Sequence, residues 1–159
     1  MDITRPLDYT NPILIKGKPY TINGDDSGLC LDGNRLWPCS IALAELVSPV
    51  ADSELCFLGD GLGLPSIVAA QNNNIVTVIE REPRIWELIH NNYRDNNCWA
   101  KFRVEDWAKV NDKYKDNFDA IYGSEIIYNS YNLAGLINFI NVSWNGHGPC
   151  KFVASSDKC

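Results

Sequence analysis

The stretch that decides the fold of this chain is Cys56-Phe57-Leu58-Gly59-Asp60-Gly61-Leu62-Gly63-Leu64-Pro65. Its first residues are apolar and predict a short buried strand. The residues from Pro65 onward predict a helix, because proline suits the first helical position. Glycine has no Cβ, so three glycines spaced two apart let the backbone approach a ligand closely. A strand, a glycine turn and a helix in this order are typical of doubly wound α/β domains that hold nucleotide-like cofactors.

Strands and helices are predicted to alternate on both sides of this unit. Helical spacing of apolar residues is found over 35–47, 66–71, 83–97 and 131–142, and strands are predicted over 55–58, 75–79, 101–104, 118–122 and 151–154. Two shorter strands around Lys16-Gly17-Lys18-Pro19 predict an N-terminal β-hairpin. We therefore expect an α/β fold, with a doubly wound, Rossmann-like, mostly parallel sheet and helices on both faces. Strands and a loop over 1–34 precede the main unit, 35–159, within a single domain.

Composition narrows the classes of function. A chain of 159 residues that is 45% hydrophobic and 21% charged is expected to fold around one core. The net charge of −6 argues against binding to nucleic acid. It is compatible with a basic partner and equally with an ordinary acidic surface. No run approaches the roughly 18 apolar residues of a membrane span, and the N-terminus has no hydrophobic signal core.

The cysteines indicate the compartment. None of the six cysteines forms a C-x-x-C pair, so we expect free thiols rather than a disulfide framework or a metal site. This predicts a protein of the cytoplasm, and of the nucleus as a second location.

Carboxylates follow two of the predicted strands. Glu80 lies 21 residues beyond Gly59, at the end of its strand, where a carboxylate can accept two hydrogen bonds from a ribose diol. Asp106 and Trp107 follow the next strand. Asp106 can accept a hydrogen bond from the exocyclic amine of adenine, and Trp107 can pack on the ring. The alternative is that Asp106 caps a short helix and Trp107 belongs to the core.

A second set of polar residues is expected at the same crevice. Glu125 and Tyr128 follow the strand over 118–122 and lie three apart, so they share a face if the segment turns helically. A carboxylate and a phenol there can hold an acceptor side chain, or they can be a capped helix start with a half-buried tyrosine. Trp37, which precedes a proline at the start of the first helix, covers the crevice or packs in the core.

These motifs, in this order and spacing, resemble the class I, seven-β-strand S-adenosylmethionine-dependent methyltransferases. More narrowly they resemble the methyltransferase 16 family, the lysine-methyltransferase-like group that modifies proteins. The motifs that carry the resemblance are Trp37-Pro38, the run from Leu58 to Ala70, Glu80, Asp106-Trp107, and the run from Phe118 to Asn129. The resemblance covers about residues 30–155.

The resemblance implies a role for each matching residue. The cofactor is S-adenosyl-L-methionine, with Glu80 on its ribose, Asp106 on its adenine amine and Trp37 beside its pocket. Glu125 and Tyr128 are implied to line the channel for the acceptor and are the expected catalytic residues. The other residues expected at the cofactor are Gly59, Asp60, Gly61, Gly63, Trp107 and Ser124.

The resemblance further implies a protein N-methyltransferase that acts on a lysine, or on a histidine, of a protein substrate. A basic substrate is one option that the net charge leaves open. The alternative is a catalytically degenerate domain that binds partners. A nicotinamide-dependent oxidoreductase is disfavoured, because its G-x-G-x-x-G fingerprint needs a glycine where Leu64 stands. A serine hydrolase is disfavoured because the chain has no G-x-S-x-G turn.

The family continues beyond its fifth strand with a helix and a closing pair of strands, which this sequence lacks. The strand over 151–154 is therefore expected to be an uncovered sheet edge, available for self-association. A truncated chain, a paired edge and a naturally reduced domain all remain compatible with the sequence.

Overall fold

The computed structural model describes residues 11–24, 35–109, 112–127 and 130–154. The strands are β1 (Ile13–Ile15), β2 (Lys18–Tyr20), β3 (Glu54–Leu58), β4 (Ile75–Glu80), β5 (Lys101–Val104), β6 (Ala120–Ser124) and β7 (Cys150–Val153). The α-helices are α1 (Pro38–Leu46), α2 (Leu64–Ala70), α3 (Trp86–Asp95) and α4 (Ser130–Ser143). Short 3-10 helices lie at Pro83–Ile85, Trp107–Lys109 and Asp112–Tyr114.

The central sheet is parallel and has the strand order β5-β4-β3-β6-β7. The chain moves outward from β3 through β4 to β5, then returns to the other side of β3 with β6 and β7. The order therefore reverses between β3 and β6, and in such sheets the crevice outside the carboxyl ends of these strands is where ligands bind. The predicted α/β fold is confirmed, and β1 and β2 form the predicted antiparallel hairpin apart from this sheet.

The central strands are apolar because both faces of the sheet are covered. On one face, Phe57 stacks on Tyr122 with ring centroids 5.0 Å apart, in a cluster that includes residues of α1, α2 and α3. On the other face, Cys56 and Leu58 pack with Trp107 and with residues of α4. Side chains alternate between the two faces along a strand, so one strand supplies both clusters.

Several predicted boundaries differ from the structure; the helix predicted over 66–71, for example, is Leu64–Ala70. Two of these differences have identifiable reasons. The first helix was predicted from residue 35 but begins at Pro38, because Trp37 has extended backbone angles and the proline ring suits only a first turn. The strand predicted over 118–122 begins at Ala120 instead. The carboxylate of Asp119 accepts hydrogen bonds from the backbone N–H of Glu54 at 2.8 Å and from Asn145 Nδ2 at 2.7 Å. These bonds hold Asp119 in a turn before the ladder starts.

The helix predicted over 83–97 is divided and shorter. Pro83 opens a 3-10 turn that Glu82 caps through a bond from the Arg84 N–H at 3.0 Å, and α3 then runs from Trp86 to Asp95.

Within the described ranges, no helix has the length and apolar character needed to cross a membrane. Of the described cysteines, Cys56, Cys98 and Cys150 are free thiols and Cys39 contacts Glu125, while Cys30 and Cys159 lie outside the described residues.

Candidate functional site

The carboxyl ends of four neighbouring strands bring most of the predicted site residues to one edge of the sheet. In the strand register, Leu58 of β3 lies opposite Ile79 of β4 and opposite Gly123 of β6. The Gly59 N–H then donates to the Ile79 carbonyl at 3.0 Å. The glycine turn after β3, Glu80 at the end of β4 and the residues after β6 therefore lie where neighbouring strands end side by side.

Left-handed backbone makes the glycine turn depend on glycine. The φ angles of Gly59, Gly61 and Gly63 are 58°, 58° and 90°, in a region that residues with a Cβ rarely adopt. Packing adds a second constraint at Gly59, where a Cβ would lie 2.7 Å from Ile126 Cγ2 and 3.7 Å from the Trp107 ring. The spacing of these glycines in the sequence thus reflects a requirement of the backbone.

Asp60 points from this turn into the protein. It is buried, and its carboxyl accepts a hydrogen bond from the Ser66 hydroxyl, which in turn accepts one from the Tyr93 hydroxyl at 2.6 Å. Burial raises the pKa of Asp60 to about 8; the bond from Ser66 opposes this rise and the nearby charge of Glu80 adds to it. The structure places the Asp60 carboxyl against α2, so a direct contact with a cofactor stays a prediction.

Glu80 ends β4 as a buried carboxylate, 8% exposed. Its Oε1 accepts a hydrogen bond from the backbone N–H of Glu82 at 3.0 Å. Burial raises the pKa of Glu80, and backbone hydrogen bonds oppose that rise. An acidic group with a turn built around it is suited to accept hydrogen bonds from a ligand diol.

Asp106 and Trp107 have the structural roles that the sequence analysis gave as the alternative to cofactor binding, a helix cap and a core side chain. Asp106 Oδ1 accepts the backbone N–H of Ala108 at 3.0 Å, which caps the short helix that begins at Trp107. Trp107 is 3% exposed and packs in the core cluster beside Gly59. Their roles at an adenine remain predictions.

The indole of Trp107 nevertheless keeps one polar group unsatisfied. Among the described residues, its buried Nε1–H has no hydrogen-bond partner. A buried donor without a partner costs about 1–3 kcal/mol, so an acceptor on a ligand that reached this atom would be favourable. The part of the ring that lies near Gly59 is its six-membered ring, through Cη2 and Cζ3.

The first turn of α1 meets the end of β6. Cys39 Sγ lies 2.9 Å from Glu125 Oε1, and the hydroxyl oxygens of Ser40 and Ser124 are 3.5 Å apart. Trp37, half-buried, immediately precedes this turn as the N-cap of α1. The structure therefore brings Cys39 and Ser40, which directly follow Trp37-Pro38, to Glu125 and Ser124. The roles of Trp37, Ser124 and Glu125 at a cofactor or acceptor stay predictions. Sequence reasoning missed Cys39 and Ser40, whose one signal is their position directly after Trp37-Pro38.

Glu125 has a left-handed backbone, with φ of 54°. Such an angle is uncommon for a residue with a long side chain, and residues of this kind concentrate at functional sites. Glu125 and Tyr128 were expected to share a face if the segment between them is helical. Residues 126 and 127 are not helical, and α4 begins only at Ser130, so that requirement is not met over 126–127. Tyr128 itself lies outside the described residues.

Asn92 is a supporting residue that sequence reasoning did not single out. It is fully buried on α3, and its Nδ2 donates to the Leu62 carbonyl inside the glycine turn at 2.9 Å. Its Oδ1 accepts the backbone N–H of Asn23 at 2.7 Å. The sequence signal was an asparagine among the inward-facing positions of an amphipathic helix.

Solved structures share this fold at low sequence identity. A TehB-like SAM-dependent methyltransferase from Corynebacterium glutamicum is 13% identical, with a TM-score of 0.57 over 71% of this chain and 60% of its own. PKMT2 from Rickettsia typhi, solved in complex with AdoHcy, is 14% identical, with a TM-score of 0.53 over 60% of this chain and 19% of its own. A Rhodobacter sphaeroides protein named as a Zn-dependent alcohol dehydrogenase is 13% identical, with a TM-score of 0.52 over 62% of this chain and 41% of its own.

These likenesses show the fold. The chain spans 60% or less of the length of each of these three proteins. No protein-family model and no curated protein matches the sequence. Proteins named as a methyltransferase and as a dehydrogenase both share this fold, so the fold does not decide between these functions. The choice has to come from the residues of the site.

Proposed function

We propose that this chain is an S-adenosylmethionine-dependent methyltransferase. The observation that carries the proposal is the left-handed turn of Gly59, Gly61 and Gly63 at the strand-order reversal, next to the buried Glu80. A nicotinamide fingerprint needs a glycine at position 64, where Leu64 is buried in the core as the first residue of α2. The methyltransferases that share the fold, one of them with AdoHcy bound, support the same choice.

The residues at the sheet edge fit this cofactor in their chemistry. Glu80 would accept hydrogen bonds from the ribose hydroxyls, and Asp106 would accept one from the adenine amine. The glycine turn would lie along the methionine part, with Trp37 beside it. The six-membered ring of Trp107 lies beside Gly59, and its Nε1–H makes no hydrogen bond within the described residues, which is compatible with an acceptor on the cofactor.

The proposed acceptor is a nitrogen of a lysine, or of a histidine, in a basic protein substrate. The bound cofactor supplies a methyl group that its sulfonium already activates, so the protein mainly has to position the nucleophile. Glu125 would accept a hydrogen bond from the acceptor nitrogen and hold it in line with the methyl group. A lysine has an ordinary pKa of about 10.4, so it must first release a proton to water to expose its lone pair. The net charge of −6 is compatible with a cationic substrate.

Calorimetric titration with S-adenosylhomocysteine tests the cofactor. We expect the wild-type chain to bind, and Glu80→Gln to weaken binding by about tenfold through loss of a charge-assisted hydrogen bond. Glu82→Gln is the matched control, because it changes a carboxylate two residues away that pairs with Arg84. A folded wild-type chain that shows no binding would overturn the proposal.

Transfer of a labelled methyl group from S-adenosylmethionine to proteins of a cell extract, read by mass spectrometry, tests the acceptor. Modified lysine or histidine side chains support protein N-methylation. Cofactor binding with no labelled protein would favour the partner-binding alternative instead.

A further inference from the structure

We propose that Cys39 is a positioning residue whose thiol orients the Glu125 carboxylate toward the acceptor nitrogen. The inference rests on the proposed function, because the acceptor role of Glu125 belongs to it. It adds a residue of α1, 86 positions away in the chain, to the part of the site that selects the acceptor.

The contact itself has the chemistry of a positioning bond. The thiol is the donor, and the carboxylate oxygen Oε1 of Glu125 accepts at 2.9 Å. Both residues are half-buried, and a hydrogen bond to an ionised group is stronger where water is partly excluded. The contact of Ser40 with Ser124 at 3.5 Å joins the same two segments, so the first turn of α1 meets the end of β6 at two points.

The backbone of Glu125 is fixed independently of its side chain. Its N–H donates to the Val153 carbonyl of β7 at 2.8 Å, and its φ is 54°. The next residue, Ile126, is 4% exposed and fills the space where a Cβ on Gly123 would lie. With the main chain held on both sides, the remaining freedom is in the glutamate side chain, and Cys39 restricts it.

Restricting that side chain matters for transfer chemistry. A glutamate has several rotatable bonds, and immobilising such a side chain when a ligand binds reduces affinity and rate. A carboxylate already oriented by a thiol avoids this loss, and proximity effects are sensitive to displacements of about 1 Å. Cys39 acts through Glu125 in this scheme and touches neither the acceptor nor the cofactor.

The first test measures the contact without any enzymatic activity. A carboxylate beside a thiol disfavours the thiolate, which is the form that iodoacetamide attacks. We expect alkylation of Cys39, followed by mass spectrometry of its peptide, to be about threefold or more faster in Glu125→Gln than in wild type. Glu87→Gln, an exposed carboxylate on α3, is the control and should leave the rate unchanged. An equal rate in Glu125→Gln and wild type would overturn the proposal.

The second test separates positioning from mere packing. On an acceptor protein identified by the labelling experiment, Cys39→Ala should lower kcat about tenfold, with the affinity for S-adenosylhomocysteine unchanged. Cys39→Ser supplies a hydroxyl donor and should recover kcat to within about threefold of wild type. Cys150→Ala, at the start of β7, is the matched loss of a half-buried thiol and should retain wild-type kcat.

The two proposals fail in different ways. A wild-type chain that does not bind S-adenosylhomocysteine overturns the methyltransferase itself. A wild-type chain that binds it, while Cys39→Ala retains full kcat or Cys39→Ser is as slow as Cys39→Ala, overturns only the positioning role.

Discussion

The most consequential single residue for pH is Asp60, because its carboxyl is buried beneath the glycine turn. Its pKa is about 8 in the folded chain, against an ordinary value of 3.8. At a pH between these two pKa values, Asp60 carries a proton in the native state and has lost it in the unfolded state. The free energy of unfolding therefore falls as pH rises from about 4 to about 8, by up to about 1.4 kcal/mol per pH unit from this group.

Asp60→Asn should remove this contribution, since the amide does not titrate and can still accept the Ser66 hydrogen bond. Urea unfolding between about pH 5 and pH 8 should show a flatter dependence in the variant and a gain in stability toward pH 8. A dependence as steep as that of the wild type would mean that Asp60 is ionised in the folded chain.

Asp119 provides a control of opposite sign. The bonds from Asn145 and from the Glu54 N–H hold the pKa of Asp119 below its ordinary value. Its stabilising contribution is therefore present above the unfolded pKa and is lost as pH falls through the folded pKa. Asp119→Asn should lower stability at neutral pH and leave the decline toward pH 8 in place.

At the scale of elements, Asn92 joins α3 to two other segments. Its amide donates to the carbonyls of Leu62 and Asn23 at 2.9 and 3.0 Å and accepts the Asn23 N–H at 2.7 Å. Asn92→Ala would leave the carbonyl of the buried Leu62 without this partner and would remove the hydrogen bonds to Asn23. We therefore expect a loss of about 3 kcal/mol in the free energy of unfolding by urea denaturation. The same substitution at the neighbouring Asn91 is the matched control and should cost less than about 1 kcal/mol.

The packing of α4 gives a second prediction at this scale. A Cβ on Gly135 would lie 2.6 Å from Ala108 Cβ and 2.9 Å from Ala108 Cα, in the short helix that carries Trp107. Alanine normally stabilises a helix interior relative to glycine by up to about 1 kcal/mol. We expect Gly135→Ala to destabilise the protein by about 1–3 kcal/mol instead, because α4 must move away from this segment.

Thermal unfolding checks this expectation, with the exposed Asn138→Ala in the same helix as the control that should be neutral or slightly stabilising. A higher midpoint temperature in Gly135→Ala would show that α4 does not contact Ala108 as closely as described.

At the scale of the whole molecule, cofactor binding should stabilise the fold by mass action. S-adenosylhomocysteine at about 100 times its Kd adds about 2.7 kcal/mol, which should raise Tm by about 5–10 °C for a chain of this size. At the same ligand concentration, a tenfold weaker Glu80→Gln should show about half that stabilisation. Equal shifts in Glu80→Gln and wild type would place the ligand away from β4.

Local patterns in the sequence predicted most of the elements correctly. The strand over 101–104 has the predicted bounds, β3 and β4 differ by one residue at one end, and α4 differs by one residue at each end. The late start of β6 is an error of another kind, because the Asp119 side chain binds the Glu54 N–H, a partner far away in the chain. Apolar periodicity reports which face a residue presents, but it carries no information about such a partner.

The candidate site likewise has some features that could be predicted from the sequence and others that only folding produces. The sequence by itself determined that Gly59, Gly61 and Gly63 form a turn after a buried strand, because only glycine adopts those backbone angles without strain. It likewise placed Glu80 at the end of the next strand, because hydrophobic periodicity ends there.

The tertiary structure alone decided three further features of this edge. Asp60 became a buried acid, Asn92 joined the turn to α3, and the thiol of Cys39 met the carboxylate of Glu125. Burial, and contacts between residues far apart in the chain, depend on how the helices pack on the sheet. Backbone preferences act within a few residues and can therefore be read from the sequence, whereas the protonation and orientation of a side chain are set by neighbours that only folding supplies.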